Sequence, residues 1–299
     1  MQTMENNYPA INIDALEFSY GDENVLNGVN LTVQPGTIIG LLGKNGCGKT
    51  TLMNCLLGFL KSQRGISQIY GEDSWDLSAD VRQRLAFVPQ ENDLFEWMTT
   101  TQIVNYVSKF YSSWNQELVD ALIAEWEIPQ KGVVREFSTG ESQKLAIVLA
   151  MGHEPDLLIM DEPVAALDPS VKRKFIRQLI EVNAEKGNTV LFSTHITADI
   201  ERVAADVAII RQGKTYFQGA IDELKERVLR LHIAAKADLQ ALNSLNGVTN
   251  AEVNGTEAVI TVENYSETMK NQIETEFQAV VTPQAMGLED IFVELAANP

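Results

Sequence analysis

Eight residues early in the chain constrain the fold more than any other feature of the sequence. The run from Gly43 to Thr50 matches the phosphate-loop pattern G-x-x-x-x-G-K-[ST]. An apolar stretch typical of a buried strand precedes it (38–42), and a helix-compatible run follows it (51–60). A strand–loop–helix unit of this kind predicts a nucleotide-binding α/β domain.

The chemistry of the loop predicts what its residues do. Its glycines let the backbone wrap closely enough for successive N–H groups to face phosphate oxygens. Lys49 is expected to reach the β- and γ-phosphates, and Thr50 is expected to hold Mg²⁺. The alternative is a chance glycine-rich turn, which the flanking strand and helix disfavour. The residues predicted to contact the nucleotide are Gly43, Asn45, Gly46, Cys47, Gly48, Lys49, Thr50 and Thr51.

Two carboxylates supply the second half of such a site. Asp161 and Glu162 directly follow an apolar, strand-like run (157–160). An acidic residue at the C-terminal tip of a buried strand can orient Mg²⁺ through water, and the next carboxylate can activate the attacking water. A solvated acidic pair is a common alternative, but the phosphate loop favours the catalytic interpretation. Asp161 is therefore a predicted metal residue, and Glu162 is a predicted catalytic residue.

Strands and helices alternate along most of the chain, which predicts an α/β fold with a mainly parallel sheet. Two strand-like runs near the N-terminus predict an antiparallel pair (11–18 and 25–33). Apolar residues at helical spacing predict a helical insertion at about 91–152. A later helix has clear end signals, with Asp168 as N-cap, a proline at the first helical position and Gly187 as the stop.

The pattern changes after about residue 226, so we predict two domains, 1–226 and 227–299. The second has the order strand, helix, hairpin, helix, strand, which predicts a small α+β module with a ferredoxin-like arrangement. Its predicted elements are strands at 228–234, 251–253, 258–262 and 280–282 and helices at 238–245 and 267–277.

The composition limits the partners of the chain. Lys and Arg number 23 against 41 Asp and Glu, so the formal net charge is −18. This argues against a nucleic-acid partner and against docking on anionic lipid, because both need clustered cations.

Cys47 and Cys55 lie too close together to indicate a disulfide framework, so a reducing cytosol is expected. No apolar run approaches the length of about 20 residues that a membrane span needs, so work at a membrane requires a partner.

Further residues complete a pattern that resembles the ABC ATPase family over about residues 11–219. The features arrive in the family's order: an aromatic residue, the phosphate loop, a glutamine, a signature motif, the acidic pair, an aspartate-containing loop and a histidine. The signature is Ser138-Thr139-Gly140-Glu141-Ser142, where the family usually has Leu-Ser-Gly-Gly-Gln and Phe137 takes the leucine position. The other matches are Tyr20, Gln90, Ala166-Leu167-Asp168 and His195.

The resemblance implies a role for each matching residue. Tyr20 would stack on the adenine of ATP, and Gln90 would contact Mg²⁺ and the attacking water. His195 would touch the γ-phosphate, and Ser138 and Gly140 would bind an ATP held by the opposite subunit. Each has an ordinary alternative: an edge-strand aromatic for Tyr20, structural roles for Gln90 and His195, and a simple helix cap for Ser138. Their joint order favours the functional interpretation.

Two departures from the family signature affect the expected rate. Thr139 adds a side chain where glycine permits close approach of the backbone to phosphate. Glu141 adds a negative charge near the partner's nucleotide. We expect activity to persist, because Ser138, Gly140 and Glu162 are present, but hydrolysis to be slower.

The function implied by the resemblance is an ATP-hydrolysing subunit of an ABC transporter, of the single-cassette bacterial exporter type. Two ATPase subunits, identical or different, would close on ATP and drive a separate integral-membrane permease that docks on the helical insertion. The chain would then lie on the cytoplasmic face of the cell membrane, held there by the permease. The alternative is a non-transport ABC ATPase in translation or DNA repair, which the single phosphate loop and the short insertion disfavour. The C-terminal module is expected to be regulatory or accessory.

Overall fold

The computed structural model describes residues 8–236, 239–245 and 247–297 of the 299-residue chain. They form two compact units. The first comprises the residues up to His195 together with Arg202–Gln218. The second comprises Ile196–Glu201 and the residues from Gly219 onwards. The domain boundary that the sequence predicts between residues 226 and 227 stays a prediction.

The first unit contains two sheets and the helices that cover them. Its strands, the last of which continues into the second unit, are β1 (Ile11–Tyr20), β2 (Glu23–Val33), β3 (Ile38–Leu42), β4 (Arg64–Ile69), β5 (Glu72–Asp73), β6 (Leu85–Val88), β7 (Leu157–Met160), β8 (Thr189–Thr194), β9 (Asp206–Arg211) and β10 (Lys214–Ala220). Its helices are α1 (Lys49–Leu56), α2 (Ala79–Gln83), α3 (Thr100–Val107), α4 (Gln116–Glu125), α5 (Thr139–Met151) and α6 (Pro169–Lys186). Short 3₁₀ helices span Ser74–Asp76, Ser108–Phe110 and Val134–Glu136.

The central sheet has the strand order β10-β9-β3-β8-β7-β6. The pairs β3–β8, β3–β9, β7–β8 and β6–β7 are parallel. All residues of β3, β7 and β8 are buried, which explains why β3 and β7 appear as continuous apolar runs rather than as alternating ones. Parallel strands end at the same edge of a sheet, so the residues that follow β3, β7 and β8 come together there.

The second sheet of this unit is antiparallel, with the order β2-β1-β4-β5. It contains the predicted N-terminal pair, in which Ile11 lies opposite Val33 and Tyr20 lies opposite Glu23. The predicted α/β class with N-terminal antiparallel strands is therefore confirmed. The strands β4 and β5 were not predicted from the sequence.

Helices α3, α4 and α5 lie between β6 and β7 in the chain, as the predicted helical insertion requires. Helix α5 is buried along almost its whole length after its first turn, so it has little amphipathic periodicity. Helix α6 has the predicted ends. The Asp168 carboxylate accepts hydrogen bonds from Ser170 N–H (2.9 Å) and Val171 N–H (3.1 Å), and Gly187 ends the helix at φ 69°.

The second unit has a ferredoxin-like order of elements. Its four-stranded sheet has the order β12-β13-β11-β14 and is antiparallel throughout, with β11 (Val228–Ala234), β12 (Val248–Asn254), β13 (Glu257–Glu263) and β14 (Val280–Ala285). Its helices are α7 (Thr197–Val203, which continues into the first unit), α8 (Ile221–Arg227), α9 (Glu267–Phe277) and α10 (Leu288–Ala297).

One predicted helix of this unit is wrong in type. The sequence predicts an α-helix at 238–245, and the structure has a 3₁₀ helix at Gln240–Ser244; residue 238 lies outside the described residues. Helix α10 was not predicted. Within the described ranges, no helix combines the length and the apolar character that crossing a membrane requires.

Candidate functional site

The phosphate loop connects β3 to α1 and has a conformation that requires glycine at two positions. Gly46 and Gly48 have φ angles of 79° and 106°. A Cβ atom on Gly48 would lie 2.9 Å from Leu26 Cδ2, so a side chain there would have to displace Leu26 as well as adopt an unfavourable backbone conformation. The Lys49 ammonium is buried and donates to Gly43 O at 2.7 Å and to Lys44 O at 3.3 Å. The loop is thus closed around its own lysine.

A buried acidic network joins the end of β7 to this loop. Asp161 is 1% exposed, and its Oδ2 accepts a hydrogen bond from Thr50 Oγ1 at 2.5 Å. Its Oδ1 accepts from the hydroxyl of Ser193, which in turn accepts the Glu162 N–H at 2.9 Å. Ser193 ends up here because β8 is parallel to both β3 and β7. Ser193 was not predicted from the sequence; its place directly after the apolar run 190–192 was the available signal.

Glu162 has an unusual backbone and one side-chain partner. Its φ of 48° lies in the left-handed region, which costs a non-glycine residue about 1–3 kcal/mol. Its Oε2 lies 2.9 Å from Nδ1 of His195, the residue that follows β8. Strain of this kind persists only where surrounding contacts enforce it, and the Ser193 bond to Glu162 N–H is one such contact.

These groups line one open cleft of about 420 Å³. Tyr20 lies at its rim, 51% exposed and in edge-to-face contact with Phe18 (ring centroids 4.9 Å apart). Three lining residues were not predicted: Glu23, Val25 and Ala165. The predicted site residues that line the cleft are Tyr20, Asn45, Gly46, Gly48, Lys49, Thr50, Thr51, Gln90, Asp161, Glu162 and His195.

Two predicted loop residues do not line this cleft. Gly43 is the acceptor of the Lys49 ammonium. The Cys47 side chain lies against Gly43 and packs on the hydrophobic core, and burial raises the pKa of its thiol. Any contact of Cys47 with a phosphate would therefore be made by its backbone.

The signature segment forms the start of α5 and lies outside the cleft lining. Ser138 caps the helix in a capping box: its Oγ accepts from Glu141 N–H at 3.2 Å. The Glu141 Oε2 accepts from Ser138 N–H at 2.7 Å and from its hydroxyl at 2.8 Å. These hydrogen bonds, the backbone one first, lower the pKa of the Glu141 carboxyl. The carboxylate at the glutamine position thus occupies both donors of Ser138.

Gly140 fixes the place of this helix start. A Cβ atom on Gly140 would lie 2.9 Å from the carbonyl oxygen of Ala166. Ala166 belongs to the loop between Glu162 and α6, so the signature segment packs against the loop that follows the acidic pair. A side chain at Gly140 would push the two apart.

Comparisons with known proteins agree with this geometry. A family model described as "ABC transporter" matches residues 26–165. The bacitracin transport ATP-binding protein BcrA of Bacillus licheniformis is 33% identical over 211 residues, which cover 70% of this chain and 69% of BcrA. The ABC transporter ATP-binding protein YtrB of Bacillus subtilis (strain 168) is 24% identical over 283 residues, 95% of this chain and 97% of YtrB. A solved ATP-binding subunit of an ABC transporter superposes with a TM-score of 0.68 at 29% identity, covering 73% of this chain and 92% of that structure.

The fold and the cleft define a P-loop nucleoside triphosphatase. Within that class, the chain belongs to the ABC transporter family, as an ATP-binding subunit that hydrolyses ATP. The prediction from the order of the motifs is confirmed, and so are the predicted ATPase activity and the assignment to transport. Subunits of this family dimerise and work with membrane permeases.

Proposed function

We propose that the cleft binds Mg²⁺-ATP and that its residues have the roles predicted from the sequence. The observation that supports this best is the convergence of Lys49, Thr50, Asp161 and Glu162 from two strand ends onto one open cleft. The backbone N–H groups of the loop would hold the phosphates, and Lys49 would exchange its bond to Gly43 O for one to phosphate. Tyr20, half exposed at the rim, would stack on the adenine.

The residues present fit Mg²⁺. Thr50 and Asp161 offer oxygen ligands that already lie within hydrogen-bonding distance of each other, and Gln90 adds an amide oxygen to the cleft. Mg²⁺ is usually bound through one or two carboxylates together with substrate phosphates rather than by an all-protein cage. In keeping with this, no cluster of three or more His, Cys, Asp or Glu side chains suited to a metal occurs among the described residues. When bound, the ion would neutralise charge on the phosphates.

Glu162 is the proposed general base. Its carboxylate faces the cleft and would take a proton from the water that attacks the γ-phosphate. The bond from His195 Nδ1 and the strained backbone fix the position of this carboxylate, and Gln90 would orient the water. His195 would also contact the γ-phosphate through Nε2 once ATP is bound.

The proposed catalytic unit contains two copies of an ATPase subunit. Ser138 and Gly140 lie outside the lining of the cleft of their own chain, and Ser138 is exposed, so they are available to the ATP of a second subunit. Helix N-termini offer free N–H groups and a positive dipole end, which suit a phosphate. The γ-phosphate would have to displace Glu141 from the Ser138 donors. Closure and reopening of such a dimer would drive the permease.

An exposed aromatic cluster supports the helical insertion as the permease-docking surface. Phe95, Trp97, Tyr106 and Phe110 contact one another edge to face, with ring centroids 5.1–5.5 Å apart. Trp97 and Phe110 are 68% and 60% exposed. Exposed aromatic clusters mark contact sites, and aromatic residues dominate hot spots. The exposed carboxylates Glu91, Asp93 and Glu96 lie close to Phe95 and Trp97 in the sequence, so the proposed partner segment is apolar with Lys or Arg residues.

This docking would hold the chain at the inner face of the cell membrane. The transport and export functions named for BcrA and for the Nod factor export ATP-binding proteins, the latter 32% identical to this chain, support an exporter-type complex. Residues 227–299 would act as an accessory domain with no hydrolytic role, because no candidate site residue lies beyond His195. The match to YtrB extends over this region as well.

The experiment that tests the cleft is equilibrium binding of a fluorescent ATP analogue with Mg²⁺. Lys49→Ala removes a charged donor to phosphate and should weaken binding by about tenfold to a hundredfold. Lys61→Ala, which removes a lysine whose only described contact is the Trp75 ring, should bind as the wild type does. Equal affinity of Lys49→Ala and wild type would rule the proposed site out.

The docking surface is tested by co-purification from solubilised membranes with mass spectrometric identification of the partner. The permease subunit that co-purifies with the wild type should no longer co-purify with the Trp97→Ala variant. Trp75→Ala removes an aromatic residue that is also half exposed but lies outside the cluster, and it should retain the partner. A permease retained by both variants would exclude this surface.

A further inference from the structure

The loop that contains Gln90 is tied at three points to the residues just before and just after the signature segment. This loop (89–99) joins β6 to α3 without regular secondary structure. At its far end, Val134 N–H donates to Met98 O (2.9 Å) and Arg135 N–H donates to Glu96 O (3.0 Å). At its near end, the side-chain amide of Asn92 donates to Gln143 Oε1 on α5. The loop therefore runs along the segment that leads into and starts the signature helix.

The Asn92–Gln143 bond is the tie nearest to Gln90 in the sequence. Asn92 lies two residues after Gln90, whereas the backbone ties lie six and eight residues after it. Gln143 is 2% exposed and lies on α5, the helix that Ser138 caps. One side-chain bond thus connects the loop at Gln90 to the helix that presents the signature.

Stability does not explain why this pair is polar. The bond leaves Asn92 Oδ1 and Gln143 Nε2 buried without a hydrogen-bond partner. A buried unpaired polar atom costs at least as much free energy as a hydrogen bond contributes, whereas an apolar pair of the same shape is close to neutral. The residues that follow Gln143 in the buried part of the helix, Leu145–Met151, are apolar. An amide pair here calls for a role other than stability.

We propose that Asn92 and Gln143 are positioning residues for hydrolysis, acting through Gln90. Their bond fixes the distance between α5 and the loop at Gln90, so that the helix presenting Ser138 also sets the reach of Gln90 over the cleft. A shift of the signature helix on engaging a second subunit then moves Gln90 with it. The inference rests on the proposed role of Gln90 in orienting water, and it adds two residues that neither line the cleft nor belong to the signature.

The test uses the full chain and steady-state ATP hydrolysis at saturating Mg²⁺-ATP. Gln143→Leu keeps the approximate shape and should lower kcat by between about tenfold and a hundredfold, the effect of a small displacement of an orienting group. The KM for ATP should not change, because the Lys49 loop is untouched, and Tm should fall, because the Asn92 amide loses its partner. Asn92→Ala removes the other partner from the loop and should lower kcat equally, with no further loss in the double variant.

A double-mutant cycle with Gln90→Ala separates the positioning of Gln90 from other effects on kcat. In the Gln90→Ala background, Gln143→Leu should have no further effect on kcat, because it acts only through Gln90. The control is Asn183→Leu, which removes an amide that donates to Gly36 O and Asn188 O; it should lower Tm and leave kcat and KM unchanged.

The outcomes that overturn the inference differ from those that overturn the proposed function. If Gln90→Ala is slow and Gln143→Leu and Asn92→Ala are as fast as wild type, the pair has no positioning role. The same conclusion follows if Gln143→Leu costs as much in the Gln90→Ala background as in the wild type. If Gln90→Ala itself hydrolyses ATP at the wild-type rate, the proposed role of Gln90 fails, and the inference fails with it.

Discussion

The acidic network at Asp161 and the capping box at Ser138 use similar polar groups, but the first is buried and the second is exposed. Both carboxylate oxygens of the buried Asp161 accept hydrogen bonds from hydroxyl groups, and parallel strands hold these groups together. Ser138 is exposed, and both of its donors are used by Glu141 of the same helix. In the proposed site, the hydrolytic half is therefore preassembled, whereas the signature half would have to exchange an internal carboxylate for a phosphate.

The difference in burial has a physical cause. The network at Asp161 lies at the carboxyl edge of a parallel sheet whose strands β3, β7 and β8 are buried on both faces. Hydrogen bonds among buried polar groups are costly to leave unmade, so the network holds its residues firmly in place. The capping box is exposed to water, which can replace either partner at little cost. A site that must open and close to another subunit is suited to the second arrangement.

The largest effect is expected from replacing Glu162, which directly follows the buried Asp161. Glu162→Gln is nearly isosteric and removes the proposed base, so turnover should fall by between about a hundredfold and ten-thousandfold. ATP binding should persist, because a negative charge near the γ-phosphate is removed. The matched control is Glu181→Gln, an exposed acid on α6, which should hydrolyse ATP at the wild-type rate. Wild-type turnover in Glu162→Gln would remove this residue from the mechanism.

A smaller effect is expected at the rim of the cleft. Base–aromatic stacking contributes about 1–3 kcal/mol, so Tyr20→Ala should weaken ATP binding by about five- to a hundredfold. Tyr20→Phe keeps the ring and should bind normally. Tyr8→Ala removes an exposed tyrosine outside the cleft lining and serves as the control in the same binding titration. Unchanged affinity in Tyr20→Ala would make this aromatic structural and assign the base to another residue.

The smallest effect is expected from a change in the capping box at Ser138. Glu141→Gln keeps an oxygen that can accept from Ser138 N–H and removes the charge. Two unit charges about 4 Å apart in water interact by about 1 kcal/mol, so ATP-driven dimerisation should tighten by about fivefold and turnover should rise. High salt should reduce the difference between the two proteins by screening the charge.

The control for this variant is Glu136→Gln, a neighbouring exposed acid that does not contact Ser138 in the described structure. It should dimerise as the wild type does. If Glu141→Gln and wild type dimerise equally at low salt, the Glu141 carboxylate does not compete with the phosphate, and the slower hydrolysis expected from the signature has another cause.

Local signals account for what the sequence predicts well. The strand Leu157–Met160, the helix from Pro169 with its Asp168 cap, and the strand Val228–Ala234 all have the predicted bounds, because cap residues and apolar runs mark them within a few positions. The phosphate loop needs no long-range information, because its motif combines the turn, the phosphate contacts and the start of the helix.

What the sequence does not predict depends on contacts between distant segments. Ser193 and Asp161 are 32 residues apart and meet only because β7 and β8 pair in parallel. Asn92 and Gln143 are 51 residues apart, and neither has a local signal. Helix α10 is different, since Leu288, Ile291 and Leu295 are all buried at helical spacing, and this signal was available in the sequence.

The most direct test of the composite site is the mass of the Glu162→Gln protein by size-exclusion chromatography with light scattering. With Mg²⁺-ATP, this variant should run as a dimer, because it closes over ATP that it cannot split; without nucleotide it should run as a monomer. Ser138→Arg in the same background places a bulky side chain at the proposed contact and should stay monomeric while still binding ATP. A Glu162→Gln protein that binds ATP but remains monomeric, or a Ser138→Arg variant that dimerises equally well, would contradict the shared site.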